Sequence, residues 1–411
     1  MARLGVVSCA AVARIFVDRP PKPMTRYLAG RVLAGLVTLF IFATILFFLA
    51  EILIPGDFVT QFTLGLTEAE LAELREFLGL DRPVFERYAA YMGGLATGDL
   101  GLSFWGVPVS SLVWALMPWT LLVFVVAMGI AFPVGFWLGK RAAWRSGTTG
   151  SAGLTIGSVA LATIFPPLLV FVLVVGTARL TSGNGISALQ QIFLDGSLNS
   201  STVWRMLGTI AVVVAVVSAA QLILSRYDRG LPMAVWGSAL IFGPVVAWIA
   251  LGVGGDAFDV LLYLALPIIA VALLALGEVV LVTKATTGAA AHEDFVITAR
   301  AKGVAESRIR DHHVARYALL PTLSKLTVSV PFVLAGLMIV EVSFGWPKAG
   351  TLGLSVPGLS SLFFNSLQQR DVPLVVGGLF AVGLIMLAIR LLLDFAHAVL
   401  DPRIRFGRNA A

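Results

Sequence analysis

The chain alternates between long stretches without Asp, Glu, Lys or Arg and shorter charged segments. A helix that crosses a membrane needs about 20 mostly apolar residues, because its backbone polar groups have to be bonded within the helix. The pattern predicts eight such helices, although the fourth and fifth also fit a re-entrant pair. The stretches cover residues 32–50, 100–139, 146–178, 206–225, 230–255, 260–277, 318–340 (interrupted by Lys325) and 372–389.

The charged segments between these stretches are of two kinds. Residues 57–99 hold eight acids and three arginines, and Asp256 and Asp259 separate the fifth stretch from the sixth. The segments before the first stretch and after the second, fourth, sixth and eighth are instead rich in Lys and Arg. Because basic loops of membrane proteins face the cytoplasm, this alternation predicts that both termini are cytoplasmic.

Composition narrows the class of protein. The 411 residues are 58% hydrophobic and 13% charged, whereas a soluble domain carries about 25% charged residues. A soluble enzyme, a nucleic-acid-binding domain and a disordered chain are therefore excluded. The net charge of +6 is then explained by Lys and Arg at the cytoplasmic face, without a nucleic-acid partner. With one cysteine, Cys9, the chain forms no internal disulfide and no cysteine-based metal site.

The segment of residues 57–111, predicted to lie outside, contains a short amphipathic helix. Thr67 and Glu70 have the spacing of a capping box, and Leu71 and Leu74 follow at helical spacing. This helix either shields the outer ends of the spans or offers a docking surface to an external partner. The sequence leaves both interpretations open.

The segment of residues 284–317, predicted to lie inside, contains two helical stretches separated by Gly303. Glu293 and Asp294 precede the first stretch, where negative charge favours a helix start. The second stretch, residues 306–318, is basic. A helix–glycine–helix unit between two spans is either a lever held against the cytoplasmic face or a basic helix lying on anionic lipid. The physical pattern does not decide between them.

Five strings in this order resemble the permease subunits of importer-type ABC transporters, in the form of the peptide/nickel group. In the generic cytoplasmic signature, Glu-Ala-Ala precedes the glycine; this chain has Ile297, Thr298 and Ala299 there, and loss of that Glu is usual in the peptide/nickel branch. The strings are LGLDRPVFERY (78–88), GDLGLSFWG (98–106), EDFVITARAKG (293–303) followed by RYALLPT (316–322), EVSFGWPKAG (341–350) and LDPRIRFG (400–407).

The resemblance implies an all-α polytopic bundle that forms half of a translocation pathway for peptides, or for nickel or other small solutes. It implies a second related permease, two ATP-binding subunits and an extracytoplasmic substrate-binding protein, in the inner membrane of a bacterial or archaeal cell. Contact with the ATPase falls on the loop of residues 284–317, where Arg300 and Lys302 are suited to acidic groups of the partner. The residues assigned to this contact are Glu293, Asp294, Thr298, Ala299, Arg300, Ala301, Lys302 and Gly303.

The chain is not expected to be an enzyme. It has no G-x-x-x-x-G-K-[ST] phosphate loop, so ATP hydrolysis is expected on a separate subunit. The resemblance assigns no metal, no cofactor and no substrate-binding residues. We expect no nucleic-acid partner, and the lipid bilayer is the surrounding solvent.

Domain boundaries follow from the same comparison, since members of this family usually have six spans. Residues 181–255 look inserted and supply the fourth and fifth spans, and residues 1–23 are expected to be a disordered extension before a usual family start at Met24. The remaining units are the first span (24–56), the outer loop (57–111), spans two and three (112–180) and the permease core (256–407) with its coupling loop (284–317).

Two other classes are weighed against this one. A secondary transporter needs acids near the bilayer midplane or unwound helices, and the predicted span centres lack acids. A membrane-embedded enzyme needs a nucleophile–base pair or metal ligands, yet all four histidines fall near the predicted cytoplasmic side. Glu278 and Lys325 lie toward that side as well, either as separate interfacial charges or as a contacting pair.

Overall fold

The structure, a computed structural model, describes residues 24–53, 65–180, 199–226, 233–344 and 356–400, together with Val59 and Phe62. Every regular element in these ranges is helical. The predicted extension (1–23), the start of the predicted insertion (181–198) and the strings at 345–350 and 401–407 lie outside the described residues. The helices are α1 (Met24–Leu53), α2 (Glu68–Phe77), α3 (Val84–Thr97), α4 (Val109–Trp144), α5 (Thr149–Thr163), α6 (Pro166–Leu180), α7 (Ser200–Arg226), α8 (Met233–Ala250), α9 (Gly254–Tyr263), α10 (Ala265–Ala290), α11 (Asp294–Ala301), α12 (Ala315–Phe344), α13 (Leu359–Gln368) and α14 (Val372–Leu400).

Six helices of the described chain are long and apolar enough to cross a membrane: α1, α4, α7, α10, α12 and α14. The pair α5 and α6 passes the same test jointly, and α8 contains a shorter apolar stretch, Gly237–Ala250. Each of the eight predicted stretches therefore falls on a helix or a helix pair, and the predicted all-α polytopic fold is confirmed. The number of spans that cross the bilayer and the side of the termini stay predictions.

The third predicted span differs from the expectation of one helix. The chain bends by 107° between α5 and α6. Ile164, the C-cap of α5, has extended backbone angles (φ −63°, ψ 138°), and Phe165 then precedes Pro166 and Pro167. A proline disfavours the helical region for the residue before it and lacks the N–H that would continue the helix, so consecutive prolines end one segment and begin another.

Helix α10 packs closely against both α4 and α5 through glycines. A Cβ atom on Gly139 of α4 would lie 2.6 Å from Cβ of Thr283, and one on Gly277 of α10 would lie 2.6 Å from the carbonyl oxygen of Ser158. Small residues let membrane helices approach to backbone contact, where packing and not the hydrophobic effect holds them together. Helix α10 is thus the central helix of the described bundle.

The helices define two ends of the bundle. We call the end with residues 140–148 and 291–314 the basic end, and the end with residues 65–108 and 356–371 the acidic end. At the basic end Lys140 pairs with Asp311 (Nζ to Oδ1, 2.8 Å). The charge pattern predicts that the basic end faces the cytoplasm.

At the acidic end α3 covers the end of α1. The hydroxyls of Tyr88 and Thr44 lie 2.9 Å apart, the rings of Tyr91 and Phe47 stack at 5.7 Å, and Arg87 pairs with Glu51. The predicted capping box of Thr67 and Glu70 is present at the start of α2, with the Thr67 backbone N–H donating to the Glu70 carboxylate at 2.8 Å. Leu71 is the only buried residue of α2.

Candidate functional site

The loop at the basic end contains a short helix, α11, that begins and ends where the sequence predicts. Glu293 is its N-cap, in extended conformation, and Thr298 donates its hydroxyl to the carbonyl of Asp294 at 3.0 Å. After the helix, Gly303 has φ +74°, and the Val304 N–H donates to the carbonyl of Ala299 at 3.2 Å. Only glycine adopts such a left-handed angle readily, so Gly303 ends the helix and turns the chain.

A small apolar cluster, which we call the loop core, holds α11 against the bundle. Val296 is fully buried in it, and the half-buried Ala299 packs on its edge. The rings of Phe295 and Tyr317 lie 5.4 Å apart across the same contact. The stripe of Val296 and Ala299 therefore faces inward and anchors the helix. The loop core consists of Ala290, Val296, Ile309, Val314 and Ala318, with Trp144, Phe295, Ala299 and Val304 packed around it.

The opposite face of α11 is open to solvent and gathers most of the predicted contact residues. Ala299 is the exception, since it is half-buried against the loop core. Ile297, which was not assigned to the contact, stands in the middle of this face and is 60% exposed. Ile297 is apolar but does not share the helical spacing of Val296 and Ala299, and this pattern could have revealed it as an exposed apolar residue. The exposed predicted residues are Glu293, Asp294, Thr298, Arg300, Ala301, Lys302 and Gly303.

The charge on Arg300 is already partnered within the chain. Its Nε and Nη2 donate to the two carboxylate oxygens of Glu306 at 2.7 and 3.3 Å, and its guanidinium lies 5.7 Å from the ring centre of Trp144. This hydrogen bonding lowers the pKa of the Glu306 carboxyl. The pair of Arg300 and Glu306 thus spans and stabilises the turn at Gly303. The sequence had predicted only that Arg300 contacts acidic groups of the partner.

The segment after α11 differs from the predicted separate basic helix. One α-helical turn, Glu306–Arg308, leads into a π-helical segment, Ile309–Val314, which runs directly into α12. Pro321 lies inside α12. The loop and the span therefore form one continuous rod, and π-helical segments are frequent at functional sites.

Asp311 ties this rod to α4. Its carboxylate accepts from Arg310 at 2.6 and 3.1 Å and pairs with Lys140 at 2.8 Å. The hydrogen bond from Arg310 and the charge of Lys140 hold the pKa of Asp311 well below its usual range. The segment that leads into α12 is thus also joined to α4.

The sequence reasoning missed two buried acids at the acidic end. Glu341 of α12 and Asp371, which precedes α14, are fully buried. Glu341 lies one residue beyond the predicted seventh stretch, and nothing in the local pattern marks it as buried. The structure describes Glu278 and Lys325 and shows no ion pair between them. Among the described residues no group of three or more His, Cys, Asp or Glu side chains is placed to hold a metal ion.

Two regions of the chain match one family of transport proteins. Residues 223–406 match the family described as the binding-protein-dependent transport system inner membrane component. Residues 24–106 match the N-terminal part of the membrane component of the same systems. The chain belongs to this family of permeases. The matched residues of this permease include the strings at 78–88, 98–106, 293–303 and 341–350, while residues 107–222 lie outside both matches.

Curated relatives cover nearly the whole permease. It is 28% identical to the dipeptide transport system permease protein of Escherichia coli (strain K12) over 381 residues, 91% of this chain and 97% of the relative. It is 26% identical to the di/tripeptide transport system permease protein of Pseudomonas aeruginosa (strain UCBPP-PA14), over 94% of this chain and 100% of the relative. It is 25% identical to the oligopeptide transport system permease protein of Bacillus subtilis (strain 168), over 93% and 100%.

The family and the apolar helices together make the permease a multi-pass protein of the cell membrane. The family description itself states that transport depends on a binding protein. The predicted domain boundaries and the roles of the loop residues stay predictions.

Proposed function

We propose that the permease forms half of the translocation pathway of an ABC importer of short peptides and couples to ATP hydrolysis through α11. ATP is hydrolysed on separate ATP-binding subunits, one of which receives α11, while a second related permease completes the pathway and an outer binding protein delivers substrate. The relatives named as peptide permeases support the substrate class. Nickel and other solutes are secondary candidates.

The observation that carries this proposal is the two-sided character of α11. Its inner side is anchored by the buried Val296, and its outer side presents Ile297, exposed by 60%, among polar residues. An exposed apolar residue at the centre of a polar rim is typical of a contact with a partner protein. The lipid interpretation of the loop is less well supported, because the exposed face of α11 begins with two acids, Glu293 and Asp294, which anionic lipid would repel.

A secondary, ion-coupled transporter is not favoured. The relatives are named as permease proteins of transport systems, and the family depends on a binding protein. Glu341 lies near the acidic end of α12 and is enclosed by protein, so it is not an acid exposed at a central site.

The proposal is tested with Gly303→Arg in the complex reconstituted with its partner subunits. A Cβ on Gly303 meets no atom within 4 Å, so arginine enters the presented surface without disturbing the loop core. We expect membrane insertion to persist, ATP hydrolysis to continue and uptake of a labelled dipeptide to fall to background. Excess Ni²⁺ should not compete with the dipeptide in the unmodified complex.

Two matched variants separate the effect of bulk on α11 from the effects of backbone strain and of an added arginine elsewhere at the basic end. Gly303→Ala brings the same backbone strain without the bulk and should keep most of the uptake. Gly147→Arg adds the same side chain at another open glycine of the basic end, with φ +87°, and should leave coupling intact. Normal uptake by the Gly303→Arg complex would refute the coupling role of α11.

A further inference from the structure

Helix α13 at the acidic end lies between two buried acids. Glu341 of α12 binds its first turn, and Asp371 lies in the turn directly after its end, where its carboxylate binds Ser103. Both side chains are fully buried. Burying an acid is unfavourable unless its oxygens find hydrogen-bond donors, so the partners of each one show what it holds.

At the beginning of α13, two side chains satisfy the first backbone N–H groups. The Ser360 N–H and hydroxyl donate to Oε2 of Glu341 at 3.2 and 2.6 Å. The Leu359 N–H donates to the hydroxyl of Thr120 on α4 at 3.0 Å, while Oε1 of Glu341 has no hydrogen-bond partner among the described residues. The first N–H groups of a helix have no partner within it, so α12 and α4 together cap α13.

Gly358 makes room for this arrangement. Its backbone is extended (φ −174°), a conformation open to any residue, so its angle does not require glycine. A Cβ there would instead lie 2.6 Å from the carboxyl carbon of Glu341. The start of α13 is thus shaped around the acid.

At the other end, Asp371 joins three segments. Its Oδ2 accepts from the Ser103 hydroxyl and from the Phe104 N–H at 3.2 Å. Its Oδ1 accepts from the Leu374 N–H at 3.2 Å and caps α14. The indole N–H of Trp105 donates to the Gln369 side chain at 3.0 Å nearby. The string at 98–106 therefore binds the turn between α13 and α14 through hydrogen bonds.

The turn that Asp371 holds is strained. Arg370 has φ +56°, and it is the only residue other than glycine with a positive φ among the described residues. A side chain in the left-handed region costs roughly 1–2 kcal/mol, so the conformation persists only where neighbouring contacts fix it. The Asp371 N–H also donates to the Ser366 carbonyl at 3.0 Å and closes the end of α13.

We propose that Glu341 and Asp371 are positioning residues that hold α13 in place at the acidic end, and that uptake requires α13 held at both ends. The part about uptake rests on the proposed function, whereas the part about α13 does not. A merely structural acid would be replaceable by any residue that keeps the protein folded. A positioning acid is replaceable only by a side chain that keeps the acceptors.

The test measures the position of α13 directly by thiol labelling. Cys9 is replaced by serine and Ser366, fully buried on α13, by cysteine in the assembled complex. Labelling by a maleimide then reports how often α13 opens. Leaving buried donors unsatisfied shifts such an equilibrium by about tenfold or more, so we expect that increase in labelling rate for Glu341→Leu and for Asp371→Ala.

Conservative and remote variants control this measurement. Glu341→Gln keeps an oxygen acceptor for Ser360 and should label near the parent rate. Val271→Ala removes packing from the fully buried Val271 of α10, remote from both acids in sequence, and should also label near that rate. Ser360→Ala should raise the rate in the parent but add little to Glu341→Leu, because the two residues share one contact.

Uptake is measured on the same complexes. We expect dipeptide uptake to fall with Glu341→Leu and Asp371→Ala and to stay high with Glu341→Gln, while ATP hydrolysis without substrate is unchanged. Unchanged labelling in Glu341→Leu and Asp371→Ala overturns the proposal, as does faster labelling with full uptake. If the parent complex imports no peptide, the proposed function fails, yet labelling still decides whether the acids hold α13.

Discussion

The two ends of the bundle hold a short helix in opposite ways. At the basic end α11 is held by the apolar side chains of the loop core on the side that faces the bundle, and its polar groups face solvent. At the acidic end the start of α13 is capped by Glu341 and by the hydroxyl of the distant Thr120, and Asp371, just beyond its end, binds the distant Ser103. Apolar contacts tolerate small shifts, whereas hydrogen bonds to buried acids define distance and direction. The comparison indicates a movable helix at the basic end and a fixed one at the acidic end.

Glycine substitutions should show this difference between the two ends with the largest effect. Gly358→Ala at the acidic end places a methyl group against the Glu341 carboxyl, and overpacking of this kind costs about 1–3 kcal/mol. Gly303→Ala at the basic end meets open space and brings only backbone strain, roughly 1–2 kcal/mol. Thermal unfolding of the purified permease in detergent should show the larger loss for Gly358→Ala. Equal losses would mean that Gly358 is not limited by space.

The basic end could be predicted from the sequence because its determinants are local. The acids at Glu293 and Asp294, the stripe through Val296 and the turn at Gly303 lie within eleven residues, and α11 begins and ends as they indicate. The resemblance added the partner, which no pattern of charges supplies. Ala299 packs on the same cluster as Trp144, and Arg300 lies beside the Trp144 ring, and Trp144 is far away in the sequence.

The acidic end could not be predicted in the same way. Asp371 meets Ser103, and Leu359 meets Thr120, across separations of 268 and 239 residues. The string at 98–106 resembles a motif of the family, but only the structure shows that this string binds Asp371. Likewise the apolar stretches located the helices, while the bend before α6 coincides with two consecutive prolines, and prolines are also tolerated inside membrane helices.

Removing apolar contact at each end is the next test. Val296→Ala in the loop core deletes two methyl groups, or about 1.5 kcal/mol at roughly 0.8 kcal/mol per buried group. Because α11 is short and held mainly by this cluster, we expect local opening with little change in global unfolding. Hydrogen exchange should quicken in α11 and leave α13 unchanged.

Val356→Ala is the matched control, since Val356 is 2% exposed just before α13. It removes the same volume at the acidic end, where the acids still hold the helix. Its exchange in α13 should therefore rise less than that of Val296→Ala in α11. The reverse order would contradict the contrast between a movable and a fixed helix.

The smallest effect is expected from the exposed pair of Arg300 and Glu306. Hydrogen bonding to Arg300 lowers the pKa of Glu306 in the folded protein. The contribution of the pair is then present above the unfolded value of about 4.3 and is lost as the pH falls through the lower folded value. Surface pairs are screened by water and salt, so Glu306→Gln at pH 7 should leave the melting temperature unchanged.

The effect of Glu306→Gln should instead appear in the turn after α11. Without its carboxylate partner, Arg300 no longer braces Gly303, and exchange of the Gly303 and Val304 amides should quicken at pH 7. Acidification of the unmodified permease should produce the same behaviour only once the pH falls below the lowered pKa of Glu306. A drop in melting temperature comparable to that of Gly358→Ala would show that the basic end, too, is held by its charges and that the two ends do not differ.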